Sequence, residues 1–112
     1  MHLSRSDLKP SAFQALVYKA TKRITEGRVT TYAAIAKAIG RPLAGRAVGN
    51  ALNKNHFRPV PCHRVIRSDG LVGGFARGTK EKIKILRREG VKIIHKNRVA
   101  YSNVLKNIRI SK

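Results

Sequence analysis

The chain has 112 residues, with 25 Lys and Arg against 5 Asp and Glu, for a formal charge of +20. That length suits one domain with a single core, and a lone cysteine excludes both a disulfide framework and a four-thiolate zinc centre. No apolar run approaches the roughly 20 residues that span a bilayer, and the opening MHLSRSDLKP lacks the apolar segment of a secretory signal.

In chain order, Ser11-Ala-Phe-Gln14 reads as a capping box opening a first helix over about 12–25. Phe13, Leu16, Val17, Ala20 and Ile24 recur at helical spacing as its core stripe, and Gly27 suits the left-handed stop. Val29-Thr-Thr31 is a brief strand, and Thr31 caps a second helix from Tyr32 to about Ile39 with Ile35, Ala36 and Ile39 inward. Gly40 ends it. A third helix starts near Leu43, with Leu43, Ala47, Val48, Ala51 and Leu52 apolar, so the pair forms a helix-turn-helix. Periodicity fails after Asn55. The stretch through Gly78 is long, irregular and still apolar enough to pack, which marks it as functional. Thr79 caps a last helix over about 80–89 with Ile83, Ile85 and Leu86 inward and Gly90 as its stop. Residues 92–112 read as a hairpin around Lys96-Asn97 followed by a loosely held basic end. The fold class expected is mainly α with short β elements, a winged-helix-like helix-turn-helix domain.

Charge this lopsided repels itself in the compact state, and a polyanion relieves that repulsion while releasing counterions. Nucleic acid is therefore the expected partner. A heat-adapted surface needs both signs of charge, and no basic amphipathic helix points to a membrane. The single thiol fits a reducing, cytoplasmic, nucleoid-associated setting.

That thiol, Cys62, lies in Val60-Pro-Cys-His-Arg-Val-Ile66. A free thiol is only a few per cent thiolate at neutral pH, so a nucleophilic role requires a base or a positive field. His63 is adjacent, but neighbours on an extended strand point to opposite faces. The two cooperate only if the backbone turns there or a water bridges them, and Pro61 stiffens the entry to such a turn. Among the acids, Asp69 belongs to a Ser-Asp-Gly turn, and Glu26 and Glu81 fit exposed helix positions. Glu89 sits at a helix C-terminus, where the dipole disfavours it. Taken alone, Cys62 reads more readily as a buried structural thiol than as a reagent.

Read together, the residues resemble the O6-alkylguanine-DNA alkyltransferases. Pro61-Cys-His-Arg-Val65 is similar to that family's active-site signature and Arg46-Ala-Val-Gly49 to its recognition helix. Val29-Thr-Thr-Tyr32, Gly73-Gly-Phe-Ala-Arg-Gly78 and Leu86-Arg-Arg-Glu-Gly90 match in family order, so the resemblance covers about residues 11–91. It implies that Cys62 takes an alkyl group from O6 of guanine, with O4 of thymine as a second candidate, and keeps it. His63 would act through a water as base, oriented by Glu89. The partner implied is double-stranded DNA containing O6-alkylguanine, bound through the minor groove by a monomer, with no cofactor and no metal. Arg46 would fill the space of the flipped base. Tyr32 and Ala33 would meet the backbone at the target, and Ala44, Gly45 and Gly49 would let the helix approach closely. Ser68 matches a position near the DNA backbone. Asn55 would brace the active-site turn, and Val65, Phe75 and Ala76 would line the base pocket. The chain departs from the family in having Asn55-His56 where Asn-Pro is usual, in a Cys62 connection one residue shorter, and in lacking a counterpart of the usual N-terminal domain ahead of helix one. Two other readings use the same residues: a lesion-binding protein without chemistry, although known proteins of that kind replace the cysteine, and a winged-helix regulator with an inert thiol.

Overall fold

The structure, a computed structural model, describes residues 11–54, 59–74 and 78–105. Helix α1 spans Ala12–Thr21 and begins on the expected capping box: Ser11 Oγ accepts from the Gln14 amide at 3.1 Å, and the Gln14 side chain accepts from the Ser11 amide at 2.9 Å. It ends earlier than the sequence periodicity suggests. Two tight bonds, Arg23 N–H to Ala20 O and Ile24 N–H to Thr21 O, convert its end into a turn. Ile24 is still buried, delivered by that turn rather than by the helix. Leu16, expected in the core, is 39% exposed.

Strand β1, Val29–Thr31, runs directly into helix α2, Tyr32–Ala38, whose Ala34 amide donates to Thr31 Oγ1 at 3.0 Å. Gly40, at φ +79°, ends α2: Arg41 N–H reaches back to Ala36 O and Gly40 N–H to Lys37 O, a Schellman closure. Helix α3 spans Gly45–Asn53, two residues later than expected. Leu43 is 99% exposed in the connecting turn and Ala47 is also exposed, so the buried face of α3 is Val48, Ala51 and Leu52.

Strand β2, Val65–Ile66, pairs parallel with β1, and β5, Val104–Leu105, pairs parallel on the other side, giving the order β2-β1-β5. The small sheet separates two apolar clusters. Val65 joins the one formed by α1, α2 and α3, and its neighbour Ile66 joins Val29, Val72, Leu86, Val91 and Val99 on the other face, as strand alternation requires.

Helix α4, Thr79–Arg88, starts after Gly78 at φ +97° rather than on a Thr79 cap, and the Thr79 hydroxyl donates instead to Gly73 O. Leu86 is buried while Ile83 and Ile85 are only partly so, and Glu81 is partly covered rather than exposed. Glu26 is exposed as expected, but in a turn rather than a helix. A second Schellman closure ends α4: Val91 N–H donates to Leu86 O and Gly90 N–H to Arg87 O. Strands β3, Ile93–Ile94, and β4, Arg98–Val99, form the hairpin expected around Lys96-Asn97. The following residues are not loose as far as Leu105. Thr30 Oγ1 donates to Leu105 O at 2.7 Å, and Asn103 Nδ2 donates to Gly27 O at 3.0 Å while its Oδ1 accepts from Lys92 N–H. The architecture is therefore mainly α with short β elements, and it carries the helix-turn-helix expected of it.

Asn103→Ala removes two side-chain bonds, the one to Gly27 O at the corner before β1 and the one from Lys92 N–H ahead of β3. It should lower stability by about 1 kcal/mol, read as a fall of about 4–8 °C in melting temperature; an unchanged melting curve would separate residues 92–105 from the cooperative fold.

Candidate active site and DNA-binding groove

Pro61 adopts φ −81°, ψ 70°, and the Cys62 amide donates to Val60 O at 2.9 Å. This is an inverse γ-turn. Arg64 N–H then donates to Pro61 O, so Cys62, His63 and Arg64 form one turn of 3-10 helix. Successive side chains on such a turn diverge by about 120° rather than pointing to opposite faces. Of the two routes to cooperation between thiol and imidazole, a backbone turn or a bridging water, the turn is present. Cys62 itself is half-buried at the margin of the α1–α3 cluster.

His63 and Arg64 both turn to Glu89. The Schellman closure sets Glu89 as the C-cap of α4, and its backbone carbonyl lies so close to Gly27 that a Cβ there would approach it to 3.3 Å. The carboxylate accepts from Arg64 Nε at 3.0 Å and Nη2 at 2.8 Å, a two-pronged pair, and from His63 Nε2 at 2.9 Å. Burial alone raises the Glu89 carboxyl, but the Arg64 and His63 hydrogen bonds and charges outweigh it and hold the group below its usual range. An ionised carboxylate only accepts, so His63 Nε2 is the donor in this bond and Nδ1 is the nitrogen left free of Glu89. Arg64 also donates to Ile24 O at 2.8 Å, which fastens the cysteine turn to the corner after α1. The sequence singles out Glu89 as a residue in an unfavourable place; it gives no sign of the role of Arg64, although the Cys-His-Arg run is in view.

Lys82 is absent from the residues that sequence reasoning selects. Its side chain is 0% exposed, with Nζ donating to Val65 O at 2.7 Å and Gly74 O at 3.2 Å and lying 5.9 Å from the centre of the Tyr32 ring. Burial lowers its pKa to about 8, partly offset by the negative charge available to Cys62. The buried ammonium and the thiol are thus close enough for their charges to interact. A lysine in the first turn of a basic helix carries no sequence signal of burial.

Tyr32 connects this interior to the surface. It packs on the α1–α3 cluster beside Cys62, and burial, together with the Cys62 charge, raises its phenol. It also lines an open groove of about 540 Å³ with Ala33, Gly45, Arg46, Gly49 and Ser68, all anticipated, and with Asn50, Asn53, Arg67 and Gly74, which were not. Ala44 does not line it but is the N-cap of α3, with no side-chain cap, so the first amides of α3 are left for another acceptor. An added Cβ would meet its neighbours at 3.9 Å from Gly45 and 3.8 Å from Gly49, ordinary contact distances. Packing of α3 on α2 therefore does not require glycine at either place. Val65 lies buried beneath the turn, its carbonyl held by Lys82. Asn55, Phe75 and Ala76 lie outside the described residues.

Residues 12–91 match the family model described as the DNA-binding domain of 6-O-methylguanine DNA methyltransferase. The methylated-DNA–protein-cysteine methyltransferase of Saccharolobus islandicus strain M.16.27 is 47% identical over 88 residues, covering 78% of this chain and 56% of that protein. The chain spans 24% of the length of another curated relative, the Escherichia coli Ada activator and repair enzyme, at 42% identity over 74% of its own. Among solved structures, Mycobacterium tuberculosis OGT in complex with DNA superposes with a TM-score of 0.71 at 40% identity, over 73% of this chain and 52% of that one. Schizosaccharomyces pombe Atl1, in complex with damaged DNA containing O6-carboxymethylguanine, superposes with a TM-score of 0.74 at 29% identity, over 93% and 99%.

Folding depresses Lys82 from 10.5 to about 8, so the unfolded chain binds more protons between those values and stability should rise with pH across that window. Lys82→Met should flatten the rise. It should also move the pH profile of Cys62 alkylation by iodoacetamide upward, a one-unit move leaving about tenfold less thiolate at neutral pH; an unshifted profile would show that Lys82 does not act on the thiol.

Proposed function

This chain belongs to the 6-O-methylguanine DNA methyltransferase family through that family's DNA-binding domain, and on that premise we propose that it repairs alkylated DNA by a single direct transfer to Cys62. The observation that carries the reading is the Glu89–His63 bond beside the cysteine turn, 2.9 Å long, with buried Lys82 supplying positive charge. The Cys62 proton passes through a water to His63, and the thiolate sulfur attacks the alkyl carbon on O6 of guanine. The C–O bond breaks, a thioether forms, and the guanine anion takes a proton back. A C–S bond at saturated carbon has no hydrolytic exit, so each molecule reacts once.

The groove at α3 is where the duplex docks. The uncapped amides of α3 and the glycines at 45 and 49 support close backbone approach. The exposed Arg46 occupies the space that the flipped base leaves, while Tyr32, at the groove wall and beside the thiol, guides the extruded nucleotide inward. A second reading, lesion binding without transfer, draws on the end-to-end superposition with Atl1, which spans 93% of this chain.

Incubation with DNA carrying O6-methylguanine should add one methyl to the peptide containing Cys62, detected by mass spectrometry; binding without an adduct would select the second reading. Arg46→Ala should slow that transfer by more than it weakens binding to undamaged duplex, since many other cations hold the phosphates, and equal losses would remove Arg46 from base replacement. Gly49→Ala should stabilise the fold by up to about 1 kcal/mol, because its methyl fits and helix propensity improves, yet weaken duplex affinity; unchanged affinity would return Gly49 to a packing role.

A further inference from the structure

A second groove, of about 340 Å³, lies between α4 and the β3–β4 hairpin and is lined by Lys80, Ile83, Lys84, Arg87 and Lys96. It shares no residue with the groove at α3. Lys82 and Leu86, four apart, are the buried face of α4. Lys80, Ile83, Lys84 and Arg87 follow the i, i+3, i+4, i+7 spacing of a neighbouring stripe, and Lys96 faces them from the hairpin turn. All four cations are exposed, and none forms an ion pair with another described residue. Among the described residues no carboxylate lines the groove, so four positive charges surround one half-covered isoleucine.

We propose that this groove is a second contact for the phosphate backbone of the duplex, flanking the lesion site, an inference that rests on DNA being the partner. Three observations favour DNA over an acidic protein segment. Protein grooves draw their affinity from apolar pockets that anchor large side chains, and among the described residues Ile83 is the sole apolar one lining this groove. Interfaces with DNA are by contrast polar and strongly positive. From Lys80 to Arg87 the helix rises about 10 Å, close to the axial distance of three phosphate-to-phosphate steps along one strand. One hydrogen bond also ties the segments that carry the two grooves: the hydroxyl of Thr79, the residue before Lys80, donates at 3.3 Å to the carbonyl of Gly73, the residue before Gly74 of the α3 groove. Lys96 comes from outside residues 12–91, the span that the family model matches, so the contact is assembled partly by this chain's own C-terminal segment.

The test is the salt dependence of binding to undamaged duplex, measured by fluorescence anisotropy with DNA of about one and about three helical turns. For Lys84→Gln/Arg87→Gln, the slope of log K against log salt on the longer duplex should shrink by about 1.8, at about 0.9 for each phosphate no longer neutralised, and Lys96→Gln should shrink it further. Lys19→Gln/Lys22→Gln, on exposed positions of α1 and its C-cap that line neither groove, should leave the slope unchanged. All these positions are exposed, and matching melting curves establish that each variant is folded. An unchanged slope in the α4 variant overturns the proposal, as does an equal change in both double variants, which would reflect net charge alone. Loss of binding to poly-glutamate with DNA binding intact overturns it in favour of an acidic protein partner. Wild-type protein with no affinity for either duplex overturns it together with the repair reading, whereas a Cys62 adduct on lesion DNA with an unchanged α4 slope overturns the second contact alone.

Discussion

The arrangement of this protein depends on one carboxylate. Glu89 takes two hydrogen bonds from Arg64 and one from His63, and Arg64 continues to the Ile24 carbonyl. Three distant pieces of chain, the corner after α1, the cysteine turn and the end of α4, thus meet on a single anion. The geometry is possible because Gly90 allows α4 to close in a Schellman motif and because Gly27 allows the Glu89 carbonyl to approach. An acid at a helix C-terminus is unfavourable in isolation. Here the guanidinium and imidazole more than offset that placement, since hydrogen bonds to an ionised acceptor in a partly buried setting are the strong ones.

Lys82 is the counterpart of opposite sign. In a chain of net charge +20, a lysine taken wholly out of water lies close enough to the one thiol for their charges to interact. Its ammonium satisfies two carbonyls, Val65 O on β2 and Gly74 O on the following loop, so it ties the strand after the cysteine turn to the loop that leads into α4. Burial disfavours its charge, and a neighbouring thiolate stabilises it. Glu89 is bonded to the imidazole and Lys82 lies within charge range of the sulfur, and the two are held by α4 and its C-cap, seven residues apart in the sequence.

The surface continues this division. Small residues and an uncapped helix start face the α3 groove, where close approach matters. Cations without a carboxylate beside them line the α4–hairpin groove, where only charge is on offer. Tyr32 belongs to both the α3 groove and the interior, packing on the same apolar cluster that Cys62 borders.

What the sequence determined by itself was whatever is settled over three or four residues. The capping box of α1, the Thr31 cap of α2, and the glycine stops at 40 and 90 are legible because each is a bond between near neighbours. The run around Cys62 suggests chemistry only through its resemblance to a family signature, since the thiol taken alone reads as structural. Periodicity shows which stripes are apolar but not which are covered, so Leu16 and Leu43 read as core although the core does not reach them. The burial of Lys82, the double grip of Arg64 on Glu89 and the docking of β5 on β1 were decided only by the tertiary structure. Their hydrogen bonds join residues 17, 25 and 75 positions apart, and a contact at that separation exists only once folding has excluded water from between its partners.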